Sequence, residues 1–293
     1  MKVLIIGASG LVGSHCLNYF NEKQVSLLGT HLTFKTKDTV FYDPLGENGF
    51  SFLDNYNFRP DVIIHCGALT NVDYCEENIL KSYDLTVQST KIVAEYCRKN
   101  GIKLVYISTD YIFDGISGPY TENEKPNPVN IYGKHKLEAE IIVQELNDYI
   151  IARITNVYGE EERSKNFIAH LLTSIKSKTD KTFNLPYDQF ATPIYAGDIA
   201  RMLYLLIFDK KVGIYNLSST DYYNRFQLAN KVKSYFDEVE HLNLKPISTQ
   251  SSEQKANRPL SGGLLNNKFL AEYPKFELTN VDAFILKTIK NGI

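Results

Sequence analysis

Two adjacent hydroxyls, a phenol and an ammonium are the side chains of this sequence best suited to proton transfer. An apolar run that predicts a buried strand ends in Ser108 and Thr109. A loop with three prolines follows, and Tyr132 then precedes Lys136 by four residues. Residues four apart share one face of a helix, so the phenol lies beside the ammonium, which favours its ionised form. We predict Thr109, Tyr132 and Lys136 as catalytic residues: Tyr132 exchanges a proton with the substrate oxygen, Lys136 favours the phenolate, and Thr109 hydrogen-bonds that oxygen.

A glycine-rich stretch near the N-terminus predicts a hydride carrier for this chemistry. Residues 2–6 read as a buried strand, and a helix is predicted from about Leu11 to Asn21. Between them, glycines recur every third residue, which is typical of a dinucleotide-binding loop that faces a helix N-terminus. The predicted cofactor contacts of this loop are Gly7, Ser9, Gly10, Leu11, Val12 and Gly13.

The end of the second predicted strand, residues 25–29, favours NADP over NAD. NAD-specific folds usually carry an acidic residue there to hold the ribose 2′-hydroxyl. This chain instead has Thr30 and His31, with Lys35 and Lys37 close behind. The expected cofactor is therefore NADPH, with NADH as the alternative. Further predicted cofactor contacts are Thr30, His31, Asp43, Cys66, Gly67, Ala68, Tyr132 and Lys136.

Alternating strands and helices predict a doubly wound, Rossmann-type α/β fold with a parallel sheet. One long helix is predicted over residues 74–100, and a sixth strand over 149–154. Ligands bind at the carboxyl ends of such strands, where Arg153 and Asn156 also lie. We predict a cofactor domain from residues 1–158 plus about 194–217. A smaller substrate-binding lobe is expected from about 159–193 and 218–293, with 184–193 as a loop over the site.

Composition excludes several classes of function. The 293 residues carry a net charge of −2 with both signs interspersed, so neither nucleic acid nor an anionic membrane is an expected partner. The apolar runs are too short to span a bilayer, and the early first strand leaves no room for a signal peptide. Four cysteines without metal-ligand spacing predict reduced thiols, no metal site and a cytoplasmic protein.

Seven stretches of the chain carry a resemblance to a known family: residues 7–13, 70–73, 108–115, 132–140, 166–167, 188–193 and 258–259. With these stretches the chain resembles the extended short-chain dehydrogenase/reductases, and more closely the dTDP-4-dehydrorhamnose reductase family. This resemblance implies NADPH-dependent reduction of a 4-keto group on a nucleotide-linked deoxysugar, with Thr109, Tyr132 and Lys136 as the catalytic trio. A homodimer is a further expectation. The predicted substrate contacts are Ser108, Asp110, Arg153, Asn156, Asn166, Gln189 and Arg258.

The sequence also departs from that family and leaves two other functions open. Rhamnose reductases usually carry a tryptophan after the sixth strand, whereas this chain has no tryptophan and places Asn156 there. In NAD-dependent epimerases and dehydratases, an asparagine at this place contacts the nucleotide-sugar. A related epimerase or dehydratase is therefore the first alternative. Thr86 stands where the family often has asparagine. The second alternative is a non-catalytic NADP-binding regulatory subunit similar to the methionine adenosyltransferase beta subunit.

Overall fold

The computed structural model describes residues 1–291. Its strands are Lys2–Ile6 (β1), Ser26–His31 (β2), Thr39–Phe41 (β3), Val62–His65 (β4), Lys103–Thr109 (β5), Tyr149–Ile154 (β6), Lys181–Pro186 (β7), Phe190–Ala191 (β8), Gly213–Asn216 (β9), Tyr223–Asn224 (β10) and Leu242–Ile247 (β11). Its α-helices are Leu11–Glu22 (α1), Val72–Glu77 (α2), Ile79–Tyr83 (α3), Ser89–Asn100 (α4), Ile131–Gln144 (α5), Phe167–Ser177 (α6), Ala196–Phe208 (α7), Arg225–Lys233 (α8), Asn267–Glu272 (α9) and Val281–Lys290 (α10).

A parallel sheet forms the centre of the fold. Within residues 1–291 it has seven strands in the order β3-β2-β1-β4-β5-β6-β9, all paired in parallel. All residues of β4 and β5 are buried, as expected of strands that are covered on both faces. Helices α1 and α7 cover one face, and α4 and α5 cover the other. The predicted doubly wound α/β fold is confirmed.

Residues 159–193 and 218–291, called the C-terminal lobe here, build a hydrophobic cluster of their own. Helices α6, α8 and α10 enclose it, with Leu171, Leu228 and Phe284 among its buried residues. Strands β7 and β11 pair in parallel, and β8 and β10 pair antiparallel. The expectation of a loop over 184–193 is wrong in part, because β7 runs to Pro186 and β8 follows.

The single helix predicted over residues 74–100 is interrupted in two places. Asn78 leaves the helical conformation, with φ −128° and ψ 61°, and its side-chain amide donates to the carbonyl of Tyr74 at 3.0 Å. This local bond competes with the helical ladder and ends α2. A π-helical turn, Asp84–Gln88, then joins α3 to α4. The apolar periodicity did not reveal either break, because both depend on local backbone bonding.

Arg153, predicted as a substrate contact, lies outside the lining of the cleft and pairs within the fold. Its guanidinium lies inside the fold and donates to the Glu140 carboxylate of α5, at 2.8 Å from Nη2 and 3.1 Å from Nε. The two side chains are only 3% and 0% exposed. Arg153 also stacks over the ring of Phe113 and donates to the carbonyl of Glu122. This bidentate pair ties β6 to the helix that carries Tyr132.

We expect Glu140→Gln to destabilise the fold, because it leaves the Arg153 guanidinium buried without a countercharge. Breaking a buried pair by neutralising one partner typically costs about 3–5 kcal/mol. Urea unfolding at neutral pH measures the change. Glu145→Gln is the matched control, since the pair that Glu145 forms with Arg98 is exposed and contributes little. Equal losses in the two variants would contradict the assigned role of the buried pair.

Candidate functional site

One large cleft opens at the carboxyl ends of the central strands, where ligands of doubly wound folds bind. Its volume is about 680 Å³. The glycine loop and the residues after β2 line one end of the cleft. The segment after β4, the end of β5 and the start of α5 line its middle. Residues after β6 and residues of the C-terminal lobe complete the lining.

The glycine loop is shaped to receive an anionic group. Gly7 has a φ of +78°, and a Cβ at Gly13 would lie only 2.3 Å from the Gly7 carbonyl oxygen. Close packing of α1 on the loop therefore requires glycine at both positions. Helix α1 begins after Gly10 with no side-chain cap and no acidic residue in its first turn. Its first N–H groups and positive dipole end thus suit the pyrophosphate of a dinucleotide.

The wall beyond β2 differs from the sequence-based expectation. Thr30 lines the cleft, but His31 does not, because its ring pairs with the Thr39 hydroxyl at 2.9 Å. The Asp43 side chain also lies outside the lining and accepts from the backbone N–H of Leu45. The cleft wall here is formed instead by Leu32, Thr33, Phe34, Tyr42 and Pro44.

Arg163, which the sequence did not single out, supplies the positive charge at this rim. Its guanidinium lies 5.0 Å from the centre of the Phe34 ring. A Cβ on Gly10 would be 4.0 Å from its Nη2 atom. Lys35 and Lys37, the two lysines that follow β2, are absent from the lining. Cys66, Gly67 and Ala68, which are predicted cofactor contacts, line the cleft.

Helix α5 places Tyr132 and Lys136 in the middle of the cleft. Its N-cap is Asn130, whose side chain accepts from the Gly133 N–H at 2.8 Å. A Cβ on Gly133 would lie 2.1 Å from the Tyr111 carbonyl oxygen, so only glycine lets the helix pack this closely after β5. The predicted trio of Thr109, Tyr132 and Lys136 is thereby brought together.

The protonation states of the trio differ from the simple expectation that Lys136 favours a phenolate. Burial raises the pKa of Tyr132 above its usual range, and a hydrogen bond with Thr109 offsets this only in part. Burial also lowers the pKa of Lys136 to about 7, an effect that Glu140 opposes. The lysine Nζ donates to the carbonyl of Ile107 at 2.6 Å. Tyr132 therefore keeps its proton at neutral pH, the state that a proton donor requires.

Four predicted substrate residues lie at the cleft, in different roles. Ser108 is 2% exposed, and its hydroxyl has no hydrogen-bond partner within residues 1–291. Asn156 has a positive φ of 42° and presents its side chain to the cleft. Asn166 caps α6 and donates to the carbonyl of Gly159. The Asp110 carboxylate is occupied internally, as discussed below.

Two further predicted substrate residues lie outside the lining of the cleft. Gln189 donates from its side-chain amide to the hydroxyl of Thr249 and to Gln254. Arg258 forms an ion pair with Asp73 at 2.9 Å. Both bind neighbouring segments of the chain, so they support the C-terminal lobe and the helix α2 rather than facing a ligand.

Neither a metal nor a membrane is indicated by the described residues. Within residues 1–291, no group of three or more His, Cys, Asp or Glu side chains could hold a metal ion. In the same range, no helix combines the length and the apolar character that a bilayer span needs.

A protein-family profile described as "RmlD substrate binding domain" matches residues 1–288. The chain belongs to this family. This membership and the fold confirm the resemblance to dTDP-4-dehydrorhamnose reductases and to the wider short-chain dehydrogenase/reductase superfamily.

The chain is similar to proteins of two different names. The methionine adenosyltransferase 2 subunit beta of Bos taurus is 30% identical over 90% of this chain and 80% of its own length. A dTDP-4-dehydrorhamnose reductase of Aggregatibacter actinomycetemcomitans is 31% identical over 69% of this chain and 66% of its own length. The solved structure of the Bacillus anthracis dTDP-4-dehydrorhamnose reductase, in complex with NADP, is 28% identical, covers 99% of both chains and has a TM-score of 0.84.

The lowered pKa of Lys136 predicts a pH-dependent stability in the absence of nucleotide. Between about pH 7 and 10 the unfolded chain holds a proton that the folded chain has released, so stability rises with pH in this window. The contribution is at most ~1.4 kcal/mol per pH unit. We expect the unfolding free energy of the wild type, minus that of Lys136→Met, to rise from pH 7 to 10 in urea titrations. Lys134→Met, exposed on the same helix, is the control. A free-energy difference that does not change with pH would contradict the lowered pKa of Lys136.

Proposed function

We propose that this protein is an NADPH-dependent reductase of the 4-keto group of a nucleotide-linked 6-deoxysugar. The observation that carries the proposal is the placement of the Tyr132 phenol, together with Thr109 and Lys136, in the same cleft as the glycine loop. A proton donor and a dinucleotide site in one cleft are what carbonyl reduction needs. When bound, NADPH would supply the hydride.

The choice of NADPH rests on the dinucleotide end of the cleft. The uncapped N-terminus of α1 suits the pyrophosphate, and Arg163 adds a cation beside Gly10 and Phe34. A 2′-phosphate is an additional anion that this guanidinium could bind in a bidentate manner. The NADP found in the Bacillus anthracis reductase supports the same choice. NADH is the alternative donor.

In the proposed reaction, Tyr132 donates its proton to the carbonyl oxygen as charge develops on it. The Thr109 hydroxyl, and the unpartnered hydroxyl of Ser108, would donate hydrogen bonds to the same oxygen. Lys136 would regain its charge next to the anionic cofactor and would then lower the cost of a transient phenolate. The trio thus exchanges one proton with the substrate in each reduction.

We expect Tyr132→Phe to abolish reduction while leaving NADPH binding intact. Removing a general acid typically costs about 10²–10⁴-fold in rate. The assay follows NADPH oxidation at 340 nm with a dTDP-4-keto-6-deoxyhexose, and fluorescence titration follows NADPH binding. Tyr204→Phe, on α7 and outside the cleft lining, is the matched control and should react at the wild-type rate. NADPH oxidation that is unchanged in Tyr132→Phe would overturn the assignment.

A regulatory subunit is the second candidate, and its support is the similarity to methionine adenosyltransferase 2 subunit beta over 90% of this chain. A protein of that kind can retain the dinucleotide fold and the tyrosine without turnover. The cleft geometry is therefore compatible with both functions, and measurements of activity and association are needed to distinguish them.

Mixing the chain with a methionine adenosyltransferase catalytic subunit provides that separation. On our primary proposal, the two proteins elute separately in size-exclusion chromatography, and the chain oxidises NADPH with a keto-sugar nucleotide. Co-elution with altered synthetase kinetics, together with no NADPH oxidation on any keto-sugar nucleotide, would establish the regulatory function instead. Bovine serum albumin in place of the synthetase is the control for non-specific association.

An NAD-dependent epimerase or dehydratase is a weaker alternative that Asn156 favours. Dehydratases place an acidic pair after the strand-end threonine, whereas this chain has Asp110 followed by Tyr111. The Asp110 carboxylate is already bonded to Thr155 and to the backbone of Gly263. Tightly bound NAD(H) in the purified protein, without net redox turnover, would favour this alternative.

A further inference from the structure

Ion pairing separates the arginines of this chain into two groups. The sequence has seven arginines. Within residues 1–291, five of them form ion pairs with a carboxylate and two do not. The two without a carboxylate, Arg163 and Arg225, both line the cleft. The paired ones are Arg59, Arg98, Arg153, Arg201 and Arg258.

Arg225 lines the cleft beside Asn156. It is the first residue of α8, and its Nη2 donates to the side-chain oxygen of Asn156 at 2.8 Å. The guanidinium carbon lies 4.7 Å from the centre of the Phe167 ring. An amide oxygen and an aromatic face therefore orient the guanidinium, but neither neutralises its charge.

This part of the cleft is next to the proposed proton donor. The nearby Tyr111 and Asp110 partly offset the burial that lowers the pKa of Arg225. The rings of Tyr111 and Tyr132 are in edge-to-face contact, with centroids 5.7 Å apart. A group bound by Arg225 would thus share the cleft with the proposed proton donor, with Tyr111 between the two.

A partly desolvated cation without a countercharge is costly, and an anionic ligand would remove most of that cost. The planar fork of arginine matches the paired oxygens of a phosphate or a carboxylate. The remaining N–H groups of Arg225 form no hydrogen bond within residues 1–291 and line the cleft. Asn156 can contribute its own amide N–H₂, because its oxygen is the atom that faces Arg225.

We propose that Arg225, oriented by Asn156, is the anion-binding subsite for the substrate in this cleft. The ligand chemistry is a phosphate or carboxylate oxygen pair on the substrate. This inference takes its substrate from the proposed function, in which the bound anion is the diphosphate that links nucleotide and sugar. The other source of the same chemistry is a carboxylate on the sugar itself.

Calorimetric titration without turnover tests the subsite. The probes are dTDP, thymidine and D-glucuronate, each titrated into the NADPH-loaded protein. We expect Arg225→Gln to weaken dTDP binding about tenfold or more, since charge-assisted hydrogen bonds are lost. Thymidine, which lacks phosphates, should bind both proteins alike. If the carboxylate is the source, the loss appears for D-glucuronate instead and dTDP binding stays unchanged.

Two variants distinguish a loss of anion binding from a structural effect of the Arg225 substitution. Arg225→Lys keeps the charge and should retain part of the affinity for the anionic probe. Arg98→Gln removes a surface guanidinium on α4 and should bind every probe as the wild type does. NADPH affinity should be the same in all variants, which reports an intact fold and an intact dinucleotide end.

Equal affinity of wild type and Arg225→Gln for both anionic probes would overturn the inference. So would the absence of saturable binding of either anionic probe to the wild type. Failure of the proposed function has a different signature, namely no NADPH oxidation with keto-sugar nucleotides although dTDP binding still depends on Arg225.

Discussion

The carboxylate of Asp110 is the interaction on which the candidate site depends. It is 3% exposed, and burial raises its pKa. Its Oδ2 atom accepts from the Thr155 hydroxyl at 2.7 Å and from the Gly263 N–H at 3.1 Å. A buried carboxylate that lost these donors would be strongly destabilising. The ends of β5 and β6 and the C-terminal segment are therefore held at one point, and a Cβ at Gly262 would reach within 3.1 Å of that oxygen.

The position of α5 follows from the same junction. The residue after Asp110, Tyr111, has its carbonyl against Gly133, where a Cβ would lie 2.1 Å away. Asn130 caps the helix with its oxygen and donates its amide to the carbonyl of Asn257 at 2.8 Å. The first turn of α5 is thus fixed to the end of β5 and to the C-terminal lobe. The position of Tyr132 in the cleft follows from these contacts.

The features that could be predicted from the sequence are those set by the local periodicity of strands and helices. The parallel sheet, the glycine loop and the spacing of Tyr132 and Lys136 could be predicted because buried strands and helix faces have fixed periods. The position of Arg153 at a strand end favours a substrate contact and does not reveal that its side chain meets Glu140 of α5. Arg163 and Arg225 were missed because only the tertiary fold brings the C-terminal lobe to the cleft. No sequence motif surrounds either residue.

Charge balance explains why those two arginines belong to the function rather than to the fold. The interior of this protein tolerates a guanidinium where a carboxylate meets it, as Glu140 meets Arg153. Within residues 1–291, Arg163 and Arg225 form no ion pair with a carboxylate, and both line the same cleft. A protein that bound only a dinucleotide would need a cation beside the glycine loop, where Arg163 lies. On our proposal, Arg225, beside Asn156, provides the cation for the second anionic ligand, the substrate.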